Sequence, residues 1–214
     1  MPFDLPPITR ALLIANIAVF LLQQLVSDSV MTVYFALWPL GPDVSDGTIT
    51  VGFRVWQLVT YAFMHGNAMH LLFNMLALFM FGGQIERLFG EKQFLLYYFV
   101  CLLTAGLCQL AFMYFFENGQ MFPTVGASGA IFGLLLAFGM MYPHEKIMLM
   151  LIPIPMPAWL FVTGYAALEL FFGITGTQAG VAHFAHLGGM LGGYLLIEYW
   201  RGKFPIKPRR RLMR

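Results

Sequence analysis

Long apolar runs alternate with short polar punctuation along this chain. Six segments stand out, roughly Ile8–Val26, Ala68–Gly83, Phe94–Phe116, Ala127–Met141, Ile147–Phe172 and Val181–Trp200. Runs of this kind predict membrane-crossing helices, because a hydrocarbon core about 30 Å thick takes about 20 residues at a rise of about 1.5 Å each. In the fifth segment Pro153, Pro155 and Pro157 stand near the start. Its regular helix is therefore expected to begin near Pro157, where a missing N–H costs nothing. The connection from Ser27 to about Asn67 holds Trp38, Pro39, Phe53, Val55 and Trp56. That is too aromatic for a flexible linker and predicts a structured outer loop at the membrane interface, where Trp is favoured.

Composition turns this pattern into a class. Of 214 residues, 59% are hydrophobic and 10% charged, against about 25% charged in soluble domains. The mean hydropathy is +0.74. Such a chain cannot cover itself with polar surface in water. The expectation is an all-α membrane protein of six transmembrane helices over residues 1–200, with a basic tail over 201–214. Arg10 precedes the first apolar run and no small-residue cleavage site follows it, so that run reads as a retained span. With only a few residues before it, the chain reads as a minimal form. Cys101 and Cys108 lie two turns apart on one predicted helix, too far to bridge, and read as free thiols.

The net charge of +2 matters less than its distribution. If six helices alternate, Arg10, Arg87, Lys92, Lys146 and the tail residues Arg201, Lys203, Lys207, Arg209, Arg210, Arg211 and Arg214 share one side, and only Arg54 falls on the other. The positive-inside rule then places both termini in the cytoplasm. The tail reads as a topology anchor meeting anionic lipid rather than as a nucleic-acid site.

The polar residues collect in the outer half. Ala127–Met141 has 15 residues, about 22 Å of helix, so its outer end is expected several ångströms below the surface. Irregular backbone at that depth is tolerated where it is buried in protein or lines a wet cavity. Pro123-Thr124-Val125-Gly126 should therefore dip inward and leave Ser128 at the bottom of a recess. His186 lies five residues into the last segment, about 7–8 Å down, at matching depth. Gly129 and Gly133 form a small-residue face on the fourth segment. Gly189 and Gly193 form another on the sixth, so the two helices can approach closely. Packing alone is the bland reading of Gly126-Ala127-Ser128-Gly129; the depth match with His186 adds a chemical one.

A second polar cluster opens the second segment, where His70 and Asn74 share a helix face. An imidazole and an amide are suitable donors to an oxyanion; the bland reading is interhelical hydrogen bonding. A metal held by His65, His70, His183 and His186 is a weaker reading, since no carboxylate or thiolate is seen to complete the set. No Asp lies at this depth to orient His186. Glu86 stands at the inner end of the second segment, and Glu169, near the outer end of the fifth, reads as structural. Phe132, one turn below Ser128, is positioned to stack on the His186 ring.

The ordered set resembles the rhomboid family of intramembrane serine proteases in its minimal bacterial six-helix form. Gly126-Ala-Ser128-Gly129 is similar to the family's nucleophile motif, and Ala185-His186-Leu-Gly-Gly189 followed by Gly193 to the motif bearing its catalytic histidine. His70-Leu-Leu-Phe-Asn74 is similar to its HxxFN segment, and Gly82-Gly83-Gln-Ile-Glu86-Arg87-Leu-Phe-Gly90 to the structural motif closing the same helix. The resemblance implies a rhomboid-like fold and a Ser128–His186 dyad, with His70 and Asn74 binding the oxyanion and no metal or cofactor. It implies membrane-protein substrates cut in or near a transmembrane segment. These would enter between the second and fifth helices, with Phe73 and Leu168 as gate contacts. A bacterial inner membrane and an active site open to the outer side follow from it; no nucleic-acid partner is implied and the oligomeric state stays open. Two positions depart from the pattern: Trp56-Gln57 stands where Trp-Arg is frequent, and Phe132 replaces a frequent tyrosine. The alternatives are a non-catalytic rhomboid-like protein that binds client helices, and a small-solute channel or transporter. The channel lacks support from any internal repeat.

Overall fold

The computed structural model describes residues 5–45, 47–116, 122–148, 154–176 and 180–208. The helices, in chain order, are α1 (Pro7–Val26), α2 (Asp28–Phe35), α3 (Gln57–Thr60), α4 (Ala68–Ala77), α5 (Gly83–Phe89), α6 (Glu91–Phe116), α7 (Ser128–Met141), α8 (Ala158–Thr175) and α9 (His183–Trp200). Two short antiparallel strand pairs accompany them, β1 (Val44–Ser45) with β2 (Thr50–Val51), and β3 (Lys146–Ile147) with β4 (Met156–Pro157). Among the described residues, four helices are long and apolar enough to cross a membrane: Pro7–Val26, Ala68–Phe89, Glu91–Phe116 and Ala158–Thr175. Ser128–Met141 is apolar but shorter.

The second helix runs past its apolar segment to the end of the Gly82–Gly90 motif. Gly82 and Gly83 do not end it; a π-helical segment, Leu78–Gly82, joins α4 to α5. The physical reason is packing, because a methyl group on Gly82 would press on Thr9 of α1. The stop is Gly90, whose φ of +80° suits glycine. Glu86, buried on α5, caps the start of α1: its carboxylate accepts from the backbone N–H groups of Ile8 (2.9 Å) and Thr9 (2.6 Å) and from the Thr9 hydroxyl (2.7 Å). These are amide groups that no turn of α1 can satisfy, and the negative charge suits the helix N-terminus. α8 begins at Ala158, directly after Pro157, as the proline positions require.

The glycines of α9 set the core. Gly189 lies on the backbone of Gly129 in α7, and a methyl group there would strike the Gly129 carbonyl. Gly188 and Gly192 face Cys108 and Thr104 of α6 in the same manner. Gly193 packs on Tyr97 and Cys101 of α6. α9 is thus wedged between α6 and α7 at close backbone distance, which maximises dispersion contacts where burial from water drives little. Tyr97 donates its hydroxyl to the Gly133 carbonyl at 2.7 Å, tying α6 to α7 across the same seam. Cys101 and Cys108 are free thiols on α6.

The connection between α1 and α4 is ordered by side-chain bonds to backbone. Gln57, fully buried, accepts at Oε1 from the N–H groups of Trp38 (3.3 Å) and Arg54 (3.0 Å), and donates from Nε2 to the Gly52 carbonyl (3.2 Å). The residue that departs from the family's Trp-Arg pair therefore anchors this connection itself. Trp56 donates to the Tyr34 carbonyl (2.9 Å) and Thr60 to that of Phe35 (2.7 Å). Of the basic tail, Arg201 and Lys203 reach back to Glu198 at 3.0 and 2.6 Å; Arg209, Arg210, Arg211 and Arg214 lie outside the described residues.

Candidate active site

Ser128 is the first residue of α7, and the backbone before it is held from three directions. Thr124 and Leu37 exchange two backbone hydrogen bonds, of 3.0 and 2.9 Å. The Gly126 N–H donates to the Tyr61 carbonyl (2.9 Å), while the Tyr61 hydroxyl donates to Leu102 of α6 (2.8 Å). Gly126 has a φ of +124°, which L side chains rarely adopt, and the His70 ring fills the space where a Cβ would stand. Both constraints demand glycine there. A methyl built at Gly126 would lie 2.8 Å from His70 Nε2 and 3.8 Å from Ser128 Oγ, so these two side chains flank one small space.

His186, buried on the first turn of α9, points Nε2 at Ser128 Oγ at 2.7 Å. The Phe132 ring stacks on the imidazole, with centroids 4.2 Å apart and planes within 7°. Phe132 also meets the Tyr165 ring of α8, with centroids 4.9 Å apart. The hydroxyl that a tyrosine would carry is absent, and the stacking ring is present.

The carboxylate is where the sequence reading requires correction. Glu169 on α8 is buried, and its Oε2 lies 2.8 Å from His186 Nδ1 and 2.6 Å from His183 Nδ1. Read as structural from its place near a helix end, it instead touches the imidazole that faces Ser128. The usable signal was chemical: an isolated carboxylate in an apolar helix is costly without a partner, and two histidines stand in the first turn of the next helix.

The four histidines weighed as a metal set divide into two pairs. His65 and His70 meet edge to face at 5.0 Å, and His183 and His186 at 6.4 Å. Among the described residues, the group with metal-ligand spacing is Glu169, His183 and His186, so a carboxylate does join two of them. In the geometry at hand each Nδ1 already has that carboxylate as its hydrogen-bond partner. His65 precedes α4 and is buried; burial, with His70 beside it, pushes its pKa down to about 4, so it carries no charge at neutral pH.

Asn67 caps α4 by accepting from the His70 N–H (2.8 Å), which fixes where the helix starts and hence where His70 and Asn74 point. Asn74 is buried and donates one amide proton to the His70 carbonyl (2.8 Å), leaving its second proton available. Phe73 and Leu168 are both exposed, on α4 and α8.

Comparison with known proteins agrees with this architecture. Residues 52–202 match the family model of the Rhomboid domain, more than half of the 214-residue chain. The mitochondrial Rhomboid protein 1 of Saccharomyces cerevisiae is 33% identical over 138 residues, which cover 64% of this chain and 40% of that protein. The mitochondrial Presenilin-associated rhomboid-like protein A of Danio rerio is 32% identical over 157 residues, 70% of this chain and 40% of that protein. The Rhomboid protease GlpG of Klebsiella pneumoniae is 33% identical over 129 residues, 60% of this chain and 41% of that protein. Each match spans about two fifths of the relative's length. With its apolar helices and the domain match over residues 52–202, this chain is an integral membrane protein and belongs to the rhomboid family.

Proposed function

We propose that this protein is an intramembrane serine endopeptidase that cleaves membrane-protein substrates in or near a transmembrane segment, with Ser128 as nucleophile and His186 as general base. The observation that carries this reading is the 2.7 Å contact between His186 Nε2 and Ser128 Oγ. As Oγ bonds to the substrate carbonyl carbon, its proton passes to Nε2. The tetrahedral oxyanion is met by His70, by the free amide proton of Asn74 and by the Ser128 backbone N–H, which no carbonyl within α7 can reach. His186 then gives its proton to the leaving amine as the C–N bond breaks. Water completes the cycle: its proton goes to Nε2, its hydroxide to the acyl carbon, and the serine regains its hydrogen as the ester bond breaks.

In this reading α1, α4–α5, α6, α7, α8 and α9 are six spans with both termini cytoplasmic, and the site opens to the outer side. α7 is 14 residues long, about 21 Å, so Ser128 lies below the surface. Substrate enters between α4 and α8, past Phe73 and Leu168.

The test is labelling and cleavage by purified protein in detergent. A fluorophosphonate should modify Ser128, and a reporter with one transmembrane segment should be cut. Cleavage by Ser128→Ala at the wild-type rate would remove the serine from the mechanism. Asn74→Ala should lower kcat by about 10²–10³-fold, the usual loss for a principal oxyanion donor; an unchanged rate rejects that role. A client helix that binds wild type and is never cut would move the assignment to a non-catalytic binder.

A further inference from the structure

Glu169 is the only charged residue of α8, and it is buried on a helix that is otherwise largely exposed. A carboxylate in that setting needs compensation, and it finds two ring nitrogens on one oxygen. An ionised carboxylate only accepts hydrogen bonds, so each Nδ1 that touches it carries a hydrogen. For neutral His186 this leaves Nε2 bare and facing Ser128 Oγ, the tautomer a general base requires. Phe132 holds the plane of the ring, and Glu169 fixes its rotation within that plane.

We infer that Glu169 is a positioning residue that sets the tautomer and orientation of His186 and stabilises its cation, while His183, bonded to the same oxygen, moderates that pull. The inference rests on the reading of Ser128 and His186 given above. As the Ser128 proton reaches Nε2, His186 becomes an imidazolium with hydrogens on both nitrogens. Glu169 takes no proton; it stays ionised 2.8 Å from the new cation. His183 occupies the same Oε2 at 2.6 Å and competes for its charge. Among the described residues, the other titratable groups facing this cluster are His70 from α4 and Tyr165 from α8, beside the Ser128 hydroxyl from α7. From α6, Cys101 and Cys108 stand against Gly193 and Gly188, farther along α9.

The two partners therefore act on His186 with opposite sign. The acid limb of the pH profile of kcat/KM reports protonation of the base. Removing the negative charge with Glu169→Gln should move that limb to lower pH by about one unit, since a carboxylate at contact commonly raises a partner's proton affinity by one unit or more. It should also lower kcat by about 10²-fold with KM within about twofold, because the tautomer is no longer enforced. Removing the competing donor with His183→Leu should move the limb to higher pH and keep kcat within about tenfold. A purely structural role lowers the amount of active protein and leaves the limb in place. Glu169→Gln with an unmoved limb and kcat within twofold of wild type would overturn the inference. Should that variant fail to unfold cooperatively in detergent, an unmoved limb in His183→Leu overturns it equally. Imidazole ¹⁵N NMR of the resting protein gives a readout independent of turnover. Wild type should show His186 with Nδ1–H and a bare Nε2, and finding Nε2–H instead rejects the positioning role. If wild type neither cleaves nor labels, the protease reading has failed, and the NMR result still decides whether Glu169 sets the ring.

Discussion

α7 and α8 flank the same imidazole in opposite ways. Ten of the fourteen residues of α7 are buried, and it meets α9 backbone to backbone through Gly129 and Gly189. Only Ala158, Val162 and Glu169 of α8 are buried, and 17% of its apolar window lies inside the molecule against 39% for α6. Ser128 and His186 thus stand on a rigid glycine-packed pair, while Glu169 and Leu168 stand on a helix with few neighbours. The groups proposed for catalysis therefore sit where two backbones are closely packed, and the face proposed for substrate entry sits where packing is sparser.

The sharpest way to break this comparison is one methyl group placed in each region. Gly189→Ala drives a methyl into the Gly129 carbonyl, a backbone atom that cannot rotate away. A loss of about 2–3 kcal/mol is expected, read as a lower Tm in detergent, together with loss of cleavage. Gln57→Ala ranks next. It strips the buried Trp38 N–H, the partly buried Arg54 N–H and the Gly52 carbonyl of their partner, and should cost about 1–3 kcal/mol by denaturant titration. Phe132→Ala removes the ring that backs His186; an aromatic stack of this kind is worth about 0.5–1.5 kcal/mol, so kcat should fall by about 2- to 10-fold with little change in KM. The smallest effect belongs to Gly164→Ala on α8, where a methyl meets nothing within 4 Å. It should leave Tm unchanged or raise it, by at most about 1 kcal/mol of helix propensity. Equal Tm losses for Gly189→Ala and Gly164→Ala would erase the distinction between the two helices.

Much of the rigid region was legible in the sequence, because close packing leaves a compositional mark. Small residues at spacing four predicted the α7–α9 approach, and Gly129 against Gly189 is where it occurs. Ser128 was placed at a helix start by the length of its apolar run, and α7 begins there. The partner of Gly193 was not legible, since a small residue says that something comes close and not which helix supplies it. The apolar run alone stopped at Gly83 for the same reason, and nothing in it told that Gly82 packs on Thr9. Glu169 was missed because its contact crosses from α8 to α9. Periodicity places a residue on a face of its own helix and is silent about rotation relative to the next. The requirement that a buried charge be matched was the information that could have replaced it.

Gln57 has a consequence for how the first connection answers to its surroundings. Its three bonds are made by an uncharged, fully buried side chain, so neither ionic strength nor acidity should loosen Trp38, Gly52 and Arg54 from one another. The neighbouring Asp43–Arg54 pair is the opposite case, a 2.7 Å ion pair with both partners well exposed to solvent. Arg54 holds the Asp43 carboxyl below its ordinary range, so that link persists at neutral pH, weakens with added salt, and is lost as acid protonates the carboxylate. In concentrated salt Asp43 should therefore come loose from a connection that itself stays fixed, and the same residue, Arg54, marks the boundary: its side chain is salt-labile while its backbone is not.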